Sequence, residues 1–169
     1  MITEPSPSII CQTLIKEPKD KVFQFLRSTK GAEVLWLAES SESLTENSNV
    51  LWHWKTTNTS VRIQVEKVIP NTLISIKWMD TGTIMDLICE QITEEDTLIT
   101  LKAYDFLTLK TYSFQEYKNN LLRALKTQQS MFELALKMLD DYYELQKPLY
   151  SFKEGRKSLI TSASIPIID

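Results

Sequence analysis

The chain has 169 residues, enough for one domain with a single hydrophobic core. Its composition is 43% hydrophobic and 24% charged, which is typical of folded globular proteins and excludes an intrinsically disordered chain. The formal net charge of −3 lacks the basic excess that binding to a phosphate backbone requires. We therefore expect no nucleic acid among its partners.

Before residue 50, the sequence predicts one strand followed by two short helices. The segment Ser8–Ile15 has the β-branched and apolar content of a strand. In the next segment Pro18 suits a first helical position, and apolar residues recur at helical spacing over Val22–Leu26. Gly31 is interpreted as a break before a second helix, which contains the apolar run Val34–Leu37.

From Val50 to Asp105, the pattern predicts a meander of antiparallel strands. Segments rich in β-branched and aromatic residues are separated by short turn sequences containing Asn, Asp or Gly. The strand segments are VLWHWKT, SVRIQVEKVI, TLISIKWM, TIMDLICEQI and TLITLKAYDF. Because each connection is short, consecutive strands should be neighbours in one sheet.

A long amphipathic helix is predicted from Phe114 to about Gln146. This segment contains no Pro or Gly, and apolar residues recur along one face at a spacing of three to four. They are Leu121, Leu125, Phe132, Leu136, Leu139 and Tyr143. Since Pro148 ends the pattern, we predict a domain of residues 1–146 and a C-terminal tail of residues 147–169, docked or flexible.

The only histidine, His53, lies between Trp52 and Trp54 in the sequence LWHWK. Because successive side chains of a strand point to opposite faces, both tryptophans should face the core and His53 the solvent. His53 is therefore not expected to act as a general base. No other residues form a recognisable catalytic, metal-binding or phosphate-binding motif, so we predict no enzymatic activity, no cofactor and no metal.

The predicted fold is α+β. One face of the sheet is apolar on every strand and needs a cover, and about 30 helical residues span roughly 45 Å, enough to cross five or six strands. We therefore expect a curved antiparallel sheet of about six to seven strands wrapped around the long C-terminal helix, with two short helices after the first strand.

In this order of elements the chain resembles the START-like helix-grip superfamily, also called SRPBCC, and most of all the branch named for the activator of the heat-shock-protein ATPase. The resemblance covers about residues 8–143 and is carried by EPKDKVFQFLRS, Trp36, LWHWK, TLISIKWMD, TLITLKAYDF and YKNNLLRALK. A Gly-Trp pair that often opens the last helix of similar proteins is replaced by Phe114-Gln115-Glu116-Tyr117. The resemblance implies an internal cavity, which in many relatives holds lipid, sterol or polyketide-like molecules.

We predict a site for a small hydrophobic or amphipathic molecule between the sheet and the long helix. Gln128 and Gln129 fall within the inward arc of the helix, where a buried amide without partners costs about 1–3 kcal/mol. One of them should contact a polar strand group, water or a ligand's polar end, and Cys89 and Gln91 are candidate neighbours. The predicted ligand-binding residues are Trp52, Trp54, Val61, Ile63, Val65, Trp78, Met85, Leu87, Cys89, Ile99, Leu101, Leu125, Gln128, Gln129, Phe132 and Leu136. The tryptophans either pack as core or stack on the ligand.

A protein-interaction module is the alternative prediction. The chain has more apolar surface than one sheet and one helix can hide. The surplus residues are Ile84, Ile88 and Ile92 on the outer sheet face and Leu134, Met138 and Leu145 on the helix. Either the tail or a second subunit should cover them, which makes a homodimer or a chaperone-type protein partner possible. A cyclase or aromatase would need catalytic groups in the cavity, for which Gln128, Gln129 and Cys89 are the candidates.

The cysteines and the chain start bear on location. Cys11 and Cys89 are far apart and form no CxxC pair, so the sequence favours a reducing compartment without disulfides. The first ten residues lack the basic and apolar regions of a secretory signal, and no apolar run reaches the length of about 18 residues that a membrane span needs. We therefore predict a cytoplasmic protein without a membrane span.

Overall fold

The computed structural model describes residues 7–106, 114–146 and 160–164. The elements are β1 (Ser8–Ile15), α1 (Lys19–Arg27), α2 (Thr29–Trp36), β2 (Glu39–Ser40), β3 (Asn49–Trp54), β4 (Thr59–Ile69), β5 (Leu73–Trp78), β6 (Ile84–Gln91), β7 (Thr97–Tyr104), α3 (Phe114–Gln146) and β8 (Ile160–Ser164). The predicted α+β class is confirmed, as are the two short helices and the bounds of the long one.

The strands of the described residues form one curved antiparallel sheet in the order β2-β3-β4-β5-β6-β7-β1-β8. The hairpins from β3 to β7 follow the chain, as predicted. The first strand, β1, lies between β7 and β8, so that Ile9 is opposite Ala103 on one side and Ala163 on the other. A β-bulge in β4 between Val65 and Lys67 adds local twist to the sheet.

The core lies between the inner sheet face and α3. The helix buries the predicted apolar stripe, except that Tyr143 is half-buried. Its buried members are Leu121, Leu125, Phe132, Leu136 and Leu139, and the facing strand residues include Ile63, Val65, Ile76, Met85, Leu87, Ile99 and Leu101. One-sided burial of this kind is what the alternation in the sequence predicts.

Gly31 lies inside α2, so its interpretation as a break was wrong. The helix begins at Thr29, and the hydroxyl of Ser28 caps it by accepting a hydrogen bond from the Gly31 amide at 3.0 Å. A Cβ atom on Gly31 would overlap the carbonyl oxygen of Phe25 at the end of α1. Glycine is therefore required by the close approach of the two helices.

The sequence did not predict the two short strands at the sheet edges. β2 has 2 residues. β8 has 5 residues, and it places Ile160 opposite Gln12 and Ser164 opposite Ser8. The β8 sequence ITSAS shows no alternation that would mark a strand, and its backbone pairing is provided by the free edge of β1. The remainder of the predicted tail, residues 147–159 and 165–169, lies outside the described residues.

Part of the predicted apolar surplus is exposed. Ile92 is 52% exposed, Leu134 47% and Leu145 76%, whereas Ile84, Ile88 and Met138 are half-buried. Cover by a second subunit stays a prediction. Within the described ranges, no helix combines the length and the apolarity needed to cross a bilayer.

Candidate functional site

The predicted alternation around His53 is confirmed. Trp52 is fully buried, and Trp54 is half-buried and donates its indole N–H to the Trp36 carbonyl at 2.8 Å. His53 lies on the opposite face, half-buried, with its Nδ1 at 2.7 Å from Ser60 Oγ. The nearby Glu39 carboxylate pairs instead with Lys55 Nζ at 2.6 Å. His53 thus lies outside the space between sheet and helix.

The inward tryptophans pack against one another. Trp52 stacks on Trp36 with ring centroids 5.8 Å apart and meets Trp78 edge-on at 5.3 Å. The ring of Phe132 in α3 packs against Trp36, with the ring centroids 6.1 Å apart. Offset and edge-on arrangements at these distances are those of a well-packed aromatic core. Of the two predicted roles for the tryptophans, the geometry favours core packing.

A cavity of about 390 Å³ lies between the first half of α3 and the turn that joins β5 to β6. Its lining residues are Asp80, Thr81 and Thr83 of the turn, Phe106 after β7, and Asn120, Leu121, Arg123, Ala124, Thr127 and Gln128 of α3. The volume lies within the range of small-molecule sites, roughly 300–1,000 Å³. We consider this cavity the candidate site.

The β5–β6 turn that forms one wall is held by backbone hydrogen bonds. The Trp78 amide donates to the Thr83 carbonyl at 2.9 Å, and the Gly82 amide donates to the Trp78 carbonyl at 2.7 Å. Gly82 has φ 78°, a conformation that favours glycine. The Thr81 hydroxyl donates to Thr83 Oγ1 at 3.2 Å. These contacts bring Thr83, only 5% exposed, onto the cavity wall.

Hydrogen-bond donors without strong acceptors lie at and beside this wall. The indole Nε1 of Trp78 is buried and has no hydrogen-bond partner among the described residues. Trp78 is paired with Thr83 across the hairpin, on the same sheet face. On α3, Gln128 Nε2 contacts the Met131 sulfur at 3.6 Å, and a thioether is a weak acceptor. Of these two donors only Gln128 lines the cavity, so an acceptor bound there can receive its amide hydrogen bond.

Two charged side chains line the cavity. Arg123 donates from Nη1 to Asn120 Oδ1 at 3.3 Å, and both residues are in the lining. Asp80 lies on the opposite wall, in the turn, and both Asp80 and Arg123 are exposed. Neither forms an ion pair with another residue of the part of the chain that the structure describes. The guanidinium and the carboxylate are therefore available to a ligand.

Of the predicted ligand-binding residues, Gln128 lines this cavity. Gln129 is half-buried, and its Nε2 donates to Glu133 Oε1 at 3.0 Å, within α3. The others belong to or pack on the core: Trp52, Ile63, Val65, Trp78, Met85, Leu87, Cys89, Ile99, Leu101, Leu125, Phe132 and Leu136 are buried, and Trp54 and Val61 are half-buried. Their contact with a ligand stays a prediction.

Cys89 and Gln91, the predicted neighbours of the two glutamines, are not among the residues that line the cavity. Burial raises the pKa of the Cys89 thiol to about 12, which keeps it protonated and unreactive. Gln91 is exposed, and its Oε1 accepts from the Lys19 amide at 3.0 Å, capping α1. Gln91 has the inward parity of Met85, but it is the last residue of β6, beyond the cover of α3.

Most cavity residues were missed by the sequence analysis. Asn120, Ala124 and Gln128 recur at a spacing of four beside the Leu121 and Leu125 stripe, and this break in the apolar pattern was the available signal. Only Gln128 was recognised from it. The contribution of the β5–β6 turn depends on how the sheet curves toward α3, which the sequence does not show.

Among the described residues, no group of three or more His, Cys, Asp or Glu side chains is placed to hold a metal ion. No protein-family model matches the chain, and no curated protein sequence matches it significantly.

The chain is similar to several solved structures. A protein from Staphylococcus saprophyticus superposes with a TM-score of 0.63 at 20% identity, covering 81% of this chain and 91% of that one. The Aha1 dimer from Colwellia psychrerythraea superposes with a TM-score of 0.60 at 18% identity, covering 83% of this chain and 98% of that one. A protein of unknown function from Staphylococcus aureus superposes with a TM-score of 0.69 at 10% identity, covering 82% of this chain and 94% of that one.

The chain has a helix-grip fold. Because these solved structures superpose on most of the chain, the predicted resemblance to START-like proteins is confirmed for the fold. Likeness at this level of identity does not extend to activity or ligand.

Proposed function

We propose that the protein binds a small amphipathic molecule, without catalysis, in the cavity between the first half of α3 and the β5–β6 turn. The proposal rests on one observation, a cavity of about 390 Å³ whose lining combines apolar side chains with polar groups, among them Gln128, whose Nε2 contacts only the Met131 sulfur. Such a combination is typical of small-molecule sites.

The lining supports a ligand with two chemically different ends. Phe106, Leu121 and Ala124 offer apolar surface, which favours burial of a hydrocarbon part. Thr83, Gln128 and the other polar residues can fix its orientation by hydrogen bonds.

The packed aromatic cluster supports a location near the first half of α3. Because Trp36, Trp52, Trp78 and Phe132 already contact one another, a ligand among them would have to separate these rings. The cavity beside Gln128 needs no such rearrangement.

Binding without catalysis is supported by the chemistry of the lining. Among the described residues that line it there is no histidine, cysteine or lysine, the side chains that most often act as bases or nucleophiles near neutral pH. The Cys89 thiol, a candidate for a cyclase-type site, is kept protonated by burial, which raises its pKa to about 12.

Native mass spectrometry of freshly purified protein, followed by fluorescence titration with 1-decanol, tests the proposal. Ala124→Trp should fill the cavity and abolish binding, whereas Lys137→Trp, at an exposed position of the same helix, should leave it unchanged. A copurified molecule or 1-decanol that binds the Ala124→Trp variant as tightly as the wild type would contradict the proposal. A wild-type protein that carries no copurified molecule and does not bind 1-decanol would also contradict the proposal.

Association through α3 is a second candidate function. Leu134 and Leu145 are 47% and 76% exposed and lie three helical turns apart on one face, with the half-buried Met138 between them. The Colwellia relative by fold is described as a dimer. Light scattering should show a dimer that Leu134→Glu with Leu145→Glu dissociates and that Lys137→Glu does not. A monomeric wild type would exclude self-association.

A further inference from the structure

We infer that the polar end of the bound molecule is a carboxylate, so that the ligand is an amphipathic carboxylic acid, anchored by Arg123. The inference rests on the proposed binding function and adds the chemical class of the ligand. It follows from the kinds of hydrogen-bonding groups that the cavity leaves without strong partners.

The groups at the cavity that lack strong partners are mostly donors. Arg123 has the five N–H donors of a guanidinium and no acceptor, and one of them is used on Asn120. Gln128 Nε2 has only a sulfur partner. On the opposite wall, Thr83 Oγ1 accepts a hydrogen bond from the Thr81 hydroxyl, which leaves the hydroxyl hydrogen of Thr83 to donate to a ligand. An acceptor-rich group matches this set.

A carboxylate matches better than a neutral acceptor because of Arg123. The guanidinium stays charged at all relevant pH values and presents its donors in a planar fork that fits two carboxylate oxygens. Hydrogen bonds between ionised partners are roughly twice as strong as neutral ones. Since Arg123 has no carboxylate partner among the described residues, a ligand acid would not have to displace one.

Asp80 restricts where the acid lies. Of the lining residues that the structure describes, it alone carries a carboxylate, and it belongs to the turn on the wall opposite α3. Repulsion favours a ligand carboxylate on the α3 side, beside Arg123 and Asn120. Because Asp80 is exposed, water and salt screen its charge, and it weakens acid binding without preventing it.

The experiment compares decanoic acid with 1-decanol, two probes that share an alkyl chain and differ in the head group. Both are titrated into the full-length protein at pH 8, below their aggregation concentrations, and followed by tryptophan fluorescence. The wild type should bind the acid about two- to fivefold more tightly than the alcohol, as expected for one anchor at an exposed charge.

Three variants assign this preference to Arg123. Arg123→Gln should lose most of this preference for the acid while its affinity for 1-decanol stays unchanged. Arg123→Lys should retain part of it, because the charge remains and the fork is lost. Lys126→Gln, which removes an exposed cation outside the lining, should behave like the wild type.

The outcomes separate the inference from the proposed function. Equal affinity of the wild type for both probes, or an acid preference that survives Arg123→Gln, would overturn the inference and leave the binding function intact. Failure of the wild type to bind either probe, with no copurified molecule, would overturn both.

Discussion

Thr13 donates its hydroxyl hydrogen to the carboxylate of Asp140, at 3.0 Å from both oxygens, and so joins β1 to the second half of α3. Nearby, Phe25 of α1 stacks on Tyr142 with ring centroids 4.5 Å apart. This half of the helix is therefore fixed to the sheet and to α1. The cavity lies along the other half, so a rigid anchor at one end positions the wall that carries Arg123.

Thr13→Val should destabilise the fold. Valine has nearly the same shape but offers no proton to Asp140, and Thr13 is only 1% exposed, so water cannot replace it. We expect the free energy of unfolding to fall by about 1–3 kcal/mol in urea denaturation. Thr29→Val, at an exposed position, is the control. Equal stability of the two variants would contradict the anchoring role.

Gly31→Ala should also destabilise the protein, although alanine is the better helix former. The added methyl group meets the Phe25 carbonyl, and forced overpacking of this kind costs about 1–3 kcal/mol, more than the gain in helix propensity of about 1 kcal/mol. Lys30→Ala, at the preceding exposed position, should change the unfolding free energy little. A more stable Gly31→Ala variant would show that α2 can move away from α1.

Asp80→Asn should tighten the binding of decanoic acid. Removing the Asp80 carboxylate relieves its repulsion of the ligand anion, an effect of roughly two- to fivefold for an exposed charge. The gain should shrink in high salt and be absent for 1-decanol. Glu94→Gln, in the exposed β6–β7 turn, is the matched control. Weaker acid binding by Asp80→Asn would place the ligand's head group elsewhere.

Cys89 should react with iodoacetamide only after unfolding. Burial raises the pKa of its thiol from 9.0 to about 12, so the native thiol holds its proton at pH values where the unfolded one has lost it. The unfolded state then binds fewer protons, and stability should decrease as the pH rises from about 9 towards 12. Mass spectrometry of the protein treated with iodoacetamide, with and without urea, measures how much of Cys89 has reacted. Rapid labelling of native Cys89 at pH 8 would contradict it.

Removing β8 should loosen β1. A chain ending at residue 159 loses the strand that pairs with Ser8–Gln12, whereas a chain ending at residue 164 keeps it. We expect faster amide hydrogen exchange in β1 of the shorter chain only, because backbone groups at a free edge exchange more readily. Unchanged exchange would mean that the pairing with β8 contributes nothing to the protection of β1.

The sequence predicted those parts of the fold that depend on local periodicity. The strands from β3 to β7, the faces of Trp52 and His53, and the span of α3 are all encoded in alternation or in a spacing of three to four. In contrast, Gly31 was misread because its role depends on the approach of α1, a contact between elements. β8 was missed because its strand character comes from β1.

The candidate site was predicted only in part, for a related reason. The sequence indicates which side chains face inward, but not which of them fill space. Trp52 and Trp78 have the same inward parity as residues that could line a pocket, and only their mutual ring contacts assign them to packing. Gln128 was found because an amide among leucines is unusual. Arg123 and Asp80 have the ordinary appearance of surface charges.

The position of β1 has a consequence for biosynthesis. Its partner β7 is distant in sequence, since Thr100 lies 88 positions after Gln12, and its other partner, β8, follows the long helix α3. Because β1 precedes both partners in the sequence, it must wait for the synthesis of β7 and β8 before its pairing is complete. Such long-range pairing slows folding, and in the interval the unpaired β1 is the segment most in need of protection by a chaperone.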